Sequence, residues 1–295
     1  MKYRLIGAER AQHPVSLLCE VLGVSRSGFH AWLRRTPSQR WLDDVRLFEL
    51  IHQVHEESDG SYGSPRIHAE LRHRGVRVGR KRVERLMRRH GLSGLVKRRK
   101  GNTTIRVPGV RPAPDLVRRD FLPAAPNRLW VADLTEVQTW EGKLYLAVVL
   151  DCFSRRVVGW QMADHMRAEL VVAALEMAVS RRKPQAGLVH HSDQGSQYVS
   201  LRFGQRCRDA GIRVSMGARA SALDNAVCES FFGSLKKERV RRRSWPTRRE
   251  LQSAIFEWIE GWYNPRRLHS TLGYLSPNNY EQLEMEKEEN KEKAA

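Results

Sequence analysis

The chain has 295 residues, with 52 Lys and Arg against 33 Asp and Glu, a formal net charge of +19. Such an excess requires an anionic partner, most simply nucleic acid held through neutralised phosphates and released counterions. No apolar run reaches membrane-spanning length and MKYRLIGAER lacks a signal-peptide core, so no membrane partner is expected, and the four scattered cysteines, with no CxxC pair, suggest neither a zinc site nor disulfides and fit a reduced cytoplasm.

Residues 14–35 read as helix, turn, helix. Pro14 opens a helix with apolar Val15, Leu18 and Leu22, and Gly23 breaks it. Ser25 is a good N-cap for a second helix, RSGFHAWLRR, with Phe29, Trp32 and Leu33 on one side. Arg26 and Ser27 at its start are where a helix-turn-helix reads DNA. The first unit is expected over 1–38. Trp41–His55 is a third predicted helix, with Leu42, Val45, Phe48 and Val54 among its apolar positions. After the turn cluster SDGSYGSP come helices Pro65–Arg74 and Arg80–His90. The latter carries Arg80, Lys81, Arg82, Arg85, Arg88 and Arg89 around Val83, Leu86 and Met87, so 39–100 is expected to be a second helix-turn-helix-like DNA-binding unit.

VKRRKGNTT is basic and polar, and Pro108, Pro112, Pro114 and Pro123 follow, so 101–124 is expected to be a linker. The block 125–280 changes character. Arg128–Val137, Lys143–Leu150 and Arg156–Met162 are strands at hairpin spacing. Leu170–Val179 is a helix, Leu188–His191 a strand, Leu201–Ala210 a helix and Ile212–Ser215 a strand. Two helices follow, one around Leu223–Arg243 and one over Arg248–Tyr263, where Trp258 and Trp262 are core candidates. The expected class is α/β: a mixed five-stranded sheet covered by helices, preceded by an all-α region. The tail 281–295, rich in Glu and Lys, is expected to be a frayed helix or disordered.

In the helix around Leu223–Arg243, Leu223, Val227, Phe231 and Leu235 form one apolar stripe. Glu229 lies off it, with Asn225, Gly233 and Lys236 on its face. Two more acids fall in informative places. Asp133 interrupts an apolar strand, which is costly unless it is paired or binds a cation. Asp193 follows the fourth strand, where an acid can face a crevice. Converging carboxylates without a Cys or His ligand set favour Mg²⁺ or Mn²⁺. A pair of such ions about 3.5–4 Å apart suits phosphodiester chemistry.

Asp193 and Glu229 have 35 residues between them. That spacing resembles the D,D(35)E pattern of retroviral integrases and of transposases of the IS-three family of bacterial insertion sequences. WVADLTEV, HHSDQGSQY, DNAVCESFFGSLKKE, DCFSRRVVGW, YNPRRLHSTLGYLSPNNYE and the N-terminal HPVSLLCEVLGVSRSGFHAWLRR extend the resemblance over almost the whole chain, closest to the second-frame product, OrfB. The resemblance implies an RNase H-like catalytic core, with Asp133, Asp193 and Glu229 holding two divalent ions. It implies that Lys236, with its neighbour Lys237, contacts DNA near the reacting phosphate and that Asn225 supports the site. It also implies Mg²⁺-dependent cleavage at insertion-sequence ends, then strand transfer by the freed 3′-hydroxyl. The expected partners are double-stranded DNA (terminal inverted repeats and target), an upstream-frame helix-turn-helix product and further copies of the chain, in a bacterial, nucleoid-associated setting. The integrase His/Cys module has no counterpart, so no zinc is expected. MKYRLIGAERAQHP starts as a second-frame product would.

Glu136 and Glu141 compete with Asp133, but alternation puts Glu136 on the opposite strand face and Glu141 lies in the turn. His190 and His191 are candidates for packing or for substrate contact. Ser192 or Ser196 as a covalent nucleophile lacks a base partner in the motif, and Arg239–Arg243 is a candidate DNA-backbone contact. The rival readings are a non-catalytic DNA-binding regulator and an RNase H-type nuclease that cuts without joining.

Overall fold

The computed structural model describes residues 1–95, 113–117, 121–217 and 226–294. Three short helices, α1 (Lys2–Glu9), α2 (Val15–Val21) and α3 (Arg26–Leu33), close over Ile6, Cys19 and Phe29. Ser25 caps α3 as expected, its Oγ accepting the Gly28 N–H at 3.1 Å. Sequence patterning misses α1 because Ile6 is its one buried side chain. Leu33, expected on the apolar side of α3, is 46% exposed.

A second helical unit contains α4 (Gln39–Glu57), α5 (Ser64–His73) and α6 (Arg80–Arg89). The expected apolar positions of α4 need correction. Leu42 and Val45 are exposed, and Phe48 lies flat on the His90 ring. Val54 is buried as expected, and the rest of the buried stripe is Asp44, Leu47 and Ile51, facing Ile67, Leu71, Val83, Leu86 and Met87. Asp44 belongs in that stripe because Arg82 and Arg85 donate to its two oxygens at 2.8 and 2.7 Å. The Arg85 hydrogen bond leads in holding its carboxyl below the usual range, against the opposing effect of burial.

The remainder is built on a sheet of β1 (Leu129–Thr139), β2 (Gly142–Asp151), β3 (Val157–Ala163), β4 (Val189–Ser192) and β5 (Arg213–Met216), in the order β3-β2-β1-β4-β5. β1, β2 and β3 form the antiparallel meander expected, and β4 and β5 add in parallel beside β1. Alternation along β1 feeds two cores. Trp130 and Ala132 pack towards α7 (Ala168–Arg182) and α8 (Leu201–Asp209). Val131 and Val137 pack towards α9 (Ala226–Glu238) and α10 (Arg248–Phe256). At Gly159 a Cβ would stand 2.2 Å from the Ala174 carbonyl oxygen, so only glycine lets α7 approach β3 so closely.

Three boundaries differ from expectation. The helix predicted over Arg248–Tyr263 is α-helical only to Phe256 and widens to π winding over Glu257–Tyr263. Trp258 and Tyr263, five residues apart, then both reach the Phe231 ring, at 5.7 and 5.0 Å between centroids. Trp262, partly buried, packs against both that core and the helical unit, where its ring centroid lies 5.6 Å from that of Tyr62. Part of the expected linker is docked: Val117 is buried in the core and the Leu116 N–H donates to Ser215 Oγ at 2.9 Å. The expected frayed tail is α11 (Pro277–Ala294). Its Glu281 is buried, receiving Ser154 Oγ, Arg156 and Arg182 at 2.7–2.9 Å. Burial raises the Glu281 pKa, but Arg182, with Ser154 and Arg156, outweighs it and holds the carboxyl below the usual range.

Removing that acid strands buried positive charge. Glu281→Ala is expected to lower stability by about 3 kcal/mol, read as a fall in the denaturant midpoint. An unchanged midpoint would mean that α11 contributes nothing to the core.

Candidate active site

Asp133 stands in mid-strand opposite Val148 of β2, on the face that looks at α9. Its Oδ1 accepts the neighbouring Leu134 N–H at 2.7 Å. Burial first, then the Asp193 charge, with a smaller push from Glu229, raise its pKa to about 7 against the pull of Lys236. Val131 pairs with His191 in the parallel β1–β4 ladder, so Asp193, one residue past β4, comes level with Asp133. The Asp193 Oδ1 caps its own turn, accepting the Gly195 N–H at 3.1 Å, and the residue is exposed.

Glu229 is the fourth residue of α9 and points to solvent, while Val227, Phe231 and Leu235 bury the opposite face, as the predicted stripe requires. Leu223 and Asn225 lie outside the described residues. All three acids therefore share one electrostatic neighbourhood. Among the described residues, no three His, Cys, Asp or Glu side chains stand close enough to hold a metal ion. The carboxylates have the donor chemistry of a hard cation, and Asp133 bears the electrostatic strain such a cation would relieve.

Lys236 lies two turns along α9 from Glu229. Its Nζ donates to Thr135 Oγ1 at 2.6 Å. Burial, then the Arg241 charge, lower its pKa. Sequence reasoning missed Thr135, although period-two alternation places it on the face of Asp133. Lys237 is partly buried on the same helix. Glu136 pairs with Lys143 at 2.9 Å, and Glu141 accepts the Arg248 N–H, so the competing acids are engaged elsewhere.

Beneath Asp193 the side chains pack rather than face solvent. His190 is buried against Phe203 and Tyr198, and burial lowers its pKa to about 4, so it is neutral. His191 Nδ1 meets Ser215 Oγ at 2.9 Å. The Ser192 hydroxyl donates to the Asp193 carbonyl, which gives it no base. The Tyr198 hydroxyl is buried, and burial, with the Asp133 and Asp193 charges, pushes its pKa well up.

The basic residues divide by exposure. Arg26, Ser27, Arg80 and Lys81 are exposed at the starts of α3 and α6. Arg82 and Arg85 are the partners of Asp44, so part of their charge is spent inside the helical unit. In the run 239–243, Arg239 pairs with Glu257, Arg242 with Asp59, and Arg243 lies 4.2 Å over the Trp245 ring. Arg241 is exposed.

Comparison with known proteins gives this arrangement a lineage. Two models described as "Integrase core domain" match residues 123–222 and 210–277, and one described as "HTH-like domain" matches 42–100. The transposase of insertion sequence element IS629 from Shigella sonnei is 39% identical over 278 residues, covering 92% of this chain and 93% of its own. Transposase InsF for insertion sequence IS3A from Escherichia coli K12 is 36% identical over 283 residues, covering 95% and 98%. Among solved structures, the HTLV-2 integrase catalytic core domain in complex with magnesium is 21% identical, with a TM-score of 0.41, covering 52% of this chain and 95% of its own. The strand order with parallel β1, β4 and β5 is that of an RNase H-like core, with Asp133 in the middle of β1, Asp193 just past the carboxyl end of β4 and Glu229 on α9. With integrase-core matches over 123–277, a helix-turn-helix-like unit before them and full-length kinship to such elements, the chain belongs to the IS-three family of insertion-sequence transposases.

Proposed function

We propose that the chain cuts DNA at the ends of an insertion sequence and joins the freed 3′-hydroxyl to a second strand, using Asp133, Asp193 and Glu229. The observation that carries this reading is the Asp133 carboxyl, level with Asp193 across the β1–β4 ladder and raised to about 7 by its burial and by the Asp193 and Glu229 charges. An acid so placed wants a cation. Asp133 and Asp193 would hold a divalent ion between β1 and the end of β4, and Glu229 would complete the ligand set once α9 closes on bound DNA. Mg²⁺ or Mn²⁺, two ions in the full site, supplies electrostatic stabilisation of the attacking and leaving oxygens when bound.

The protein's own part is placement. Lys236, steadied by Thr135, presents its ammonium beside the acids to a DNA phosphate. Water attacks the phosphorus, the P–O3′ bond breaks, and the strand end leaves as a 3′-hydroxyl. That hydroxyl next attacks a phosphodiester of the target strand, and the displaced 3′ oxygen takes up a proton, with no bond to protein at either step. Arg26 and Ser27 on α3, and Arg80 and Lys81 on α6, are the DNA contacts of units 1–38 and 39–100, and Lys237 and Asn225 add to the site. Arg82 and Arg85 contribute through the charge that Asp44 leaves uncompensated. Handling two ends at once requires a dimer or larger assembly on DNA, with an upstream-frame helix-turn-helix product as partner. The setting is the bacterial cytoplasm at the nucleoid; among the described residues no helix is long and apolar enough to cross a membrane.

Asp193→Asn and Glu229→Gln are each expected to abolish Mg²⁺-dependent cleavage and joining of terminal-repeat oligonucleotides while DNA binding persists. Joining retained by the purified double variant would overturn the assignment. The Asp133 pKa makes a separate prediction for the metal-free protein. Its folded value, about 7, lies above the reference value of 3.8. The folded state therefore holds a proton that the unfolded chain has lost, and stability falls as pH rises from about 4 to 7, then levels. Asp133→Asn should remove this loss, stabilising the metal-free protein by roughly 4 kcal/mol at most above pH 7 and by nothing below pH 4. Parallel stability–pH curves for the two proteins would refute the strain on Asp133.

A further inference from the structure

The segment after the π-helical turn, residues 264–276, is bound on three sides. Asn264 clasps β3, its Oδ1 accepting the Val157 N–H and its Nδ2 donating to the Val157 carbonyl, at 2.9 and 3.0 Å. Arg267 clasps α9. Its Nε and Nη2 donate to the two oxygens of Glu238 at 2.9 and 2.6 Å, and Nη2 also reaches Ser234 Oγ at 3.2 Å. Leu268 clasps the helical unit: its N–H donates to Tyr62 Oη at 2.8 Å, and its carbonyl accepts from Arg66 Nε at 3.0 Å.

These contacts are dry. Arg267 and Glu238 are 4% and 8% exposed, and Tyr62 is 2% exposed. His269, kept neutral by burial and the Arg267 charge, can accept at Nε2 from Arg267 Nη1, 3.4 Å away. A buried planar fork on a carboxylate tolerates little rotation or slip. Glu238 is the last residue of α9, and Ser234 lies one turn before it. Arg267 thus grips the helix that carries Glu229 and Lys236 by its end. Next to this grip the two domains leave a cavity of 270 Å³, between Ser58, Ser61, Glu238, Arg239, Trp258 and Trp262. The seam is therefore pinned at Tyr62, Arg66 and Arg267 and loosely packed beside them.

We propose that Arg267 is a positioning residue: it sets the placement of α9, and so of Glu229 and Lys236, relative to the helical unit through the adjoining Leu268, so that engagement of DNA by α4–α6 is transmitted to the acids. The proposal rests on the reading of Glu229 as a member of the site. A rigid coupling of this kind explains how a helix whose acid stands open can close when DNA is bound at a distance.

The test uses the full chain with terminal-repeat DNA. Arg267→Lys keeps the charge and loses the fork; Glu238→Gln keeps the shape and loses the charge; Tyr62→Phe removes only the acceptor of the Leu268 N–H. Single-turnover cleavage at saturating DNA is expected to fall about 10- to 100-fold in Arg267→Lys, with DNA affinity and the folded fraction as in the wild type. Glu238→Gln serves if Arg267→Lys does not fold. Tyr62→Phe should slow the same step more mildly, and its effect should shrink in the Arg267→Lys background, because both act through one connection. Normal cleavage per folded molecule, or fully additive effects, would overturn the proposal. Amide exchange over 226–238 separates it from the site assignment. Faster exchange in Arg267→Lys, together with joining that survives Glu229→Gln, would keep the grip on α9 and discard Glu229 as its beneficiary.

Discussion

Burial of an acid in a sheet strand, made costlier by the charge of two neighbouring acids, is the constraint on which the molecule is organised. Asp133 follows the buried Val131 and Ala132 in its strand, where an ionised carboxyl is expensive, and Asp193 and Glu229 add charge of the same sign. A fold optimised only for stability would place a valine there. The cost persists because the surroundings over-determine the backbone: β1 is paired on both sides, along its length with β2 and at its start with β4. Both faces of the sheet are covered, so the strand cannot twist the acid out to water.

The same logic explains where the ion pairs are invested. The firm ones lie in the frame around the acids. Glu281 ties α11 to Arg156 and Arg182, Glu238 ties α9 to Arg267, and Asp44 ties α4 to α6. Each is a carboxylate satisfied by more than one donor, the condition under which a buried charge does not unfold its host. Among the described residues, the carboxylates of the candidate site have only backbone N–H partners, at Asp133 and Asp193. Glu229 and Asp193 remain exposed, and Lys236 is turned to Thr135. Among the described residues the frame pairs its carboxylates with arginines and the candidate site does not, which is the electrostatic setting that the proposed cation would answer.

Much of this was legible in the residues. Hairpin spacing gave the meander, Ser25 gave the start of α3, and the interval between Asp193 and Glu229 pointed to the candidate site. The stripe of Val227, Phe231 and Leu235 correctly oriented α9. What escaped depended on long-range pairing. Arg82 and Arg85 read as DNA contacts because nothing local reveals that Asp44, some forty residues earlier, claims them both. Burying Asp44 in turn rotates α4, which is why Leu42 and Val45 face out. Glu281 looked like the first residue of a charged tail because its partners, Arg156 and Arg182, lie more than ninety residues away. The π winding after Phe256 answers to the Phe231 ring across the core, and no periodicity within 248–263 encodes it.

The claim that these acids form a cation-dependent joining site is tested most directly by strand transfer on labelled terminal-repeat oligonucleotides, with Mg²⁺ and with the ion removed by chelation. The account predicts joined product only when the ion is present, with free 3′-hydroxyl ends preceding it. Joined product undiminished by chelation, or cleavage with Mg²⁺ that never leads to joining, would contradict it.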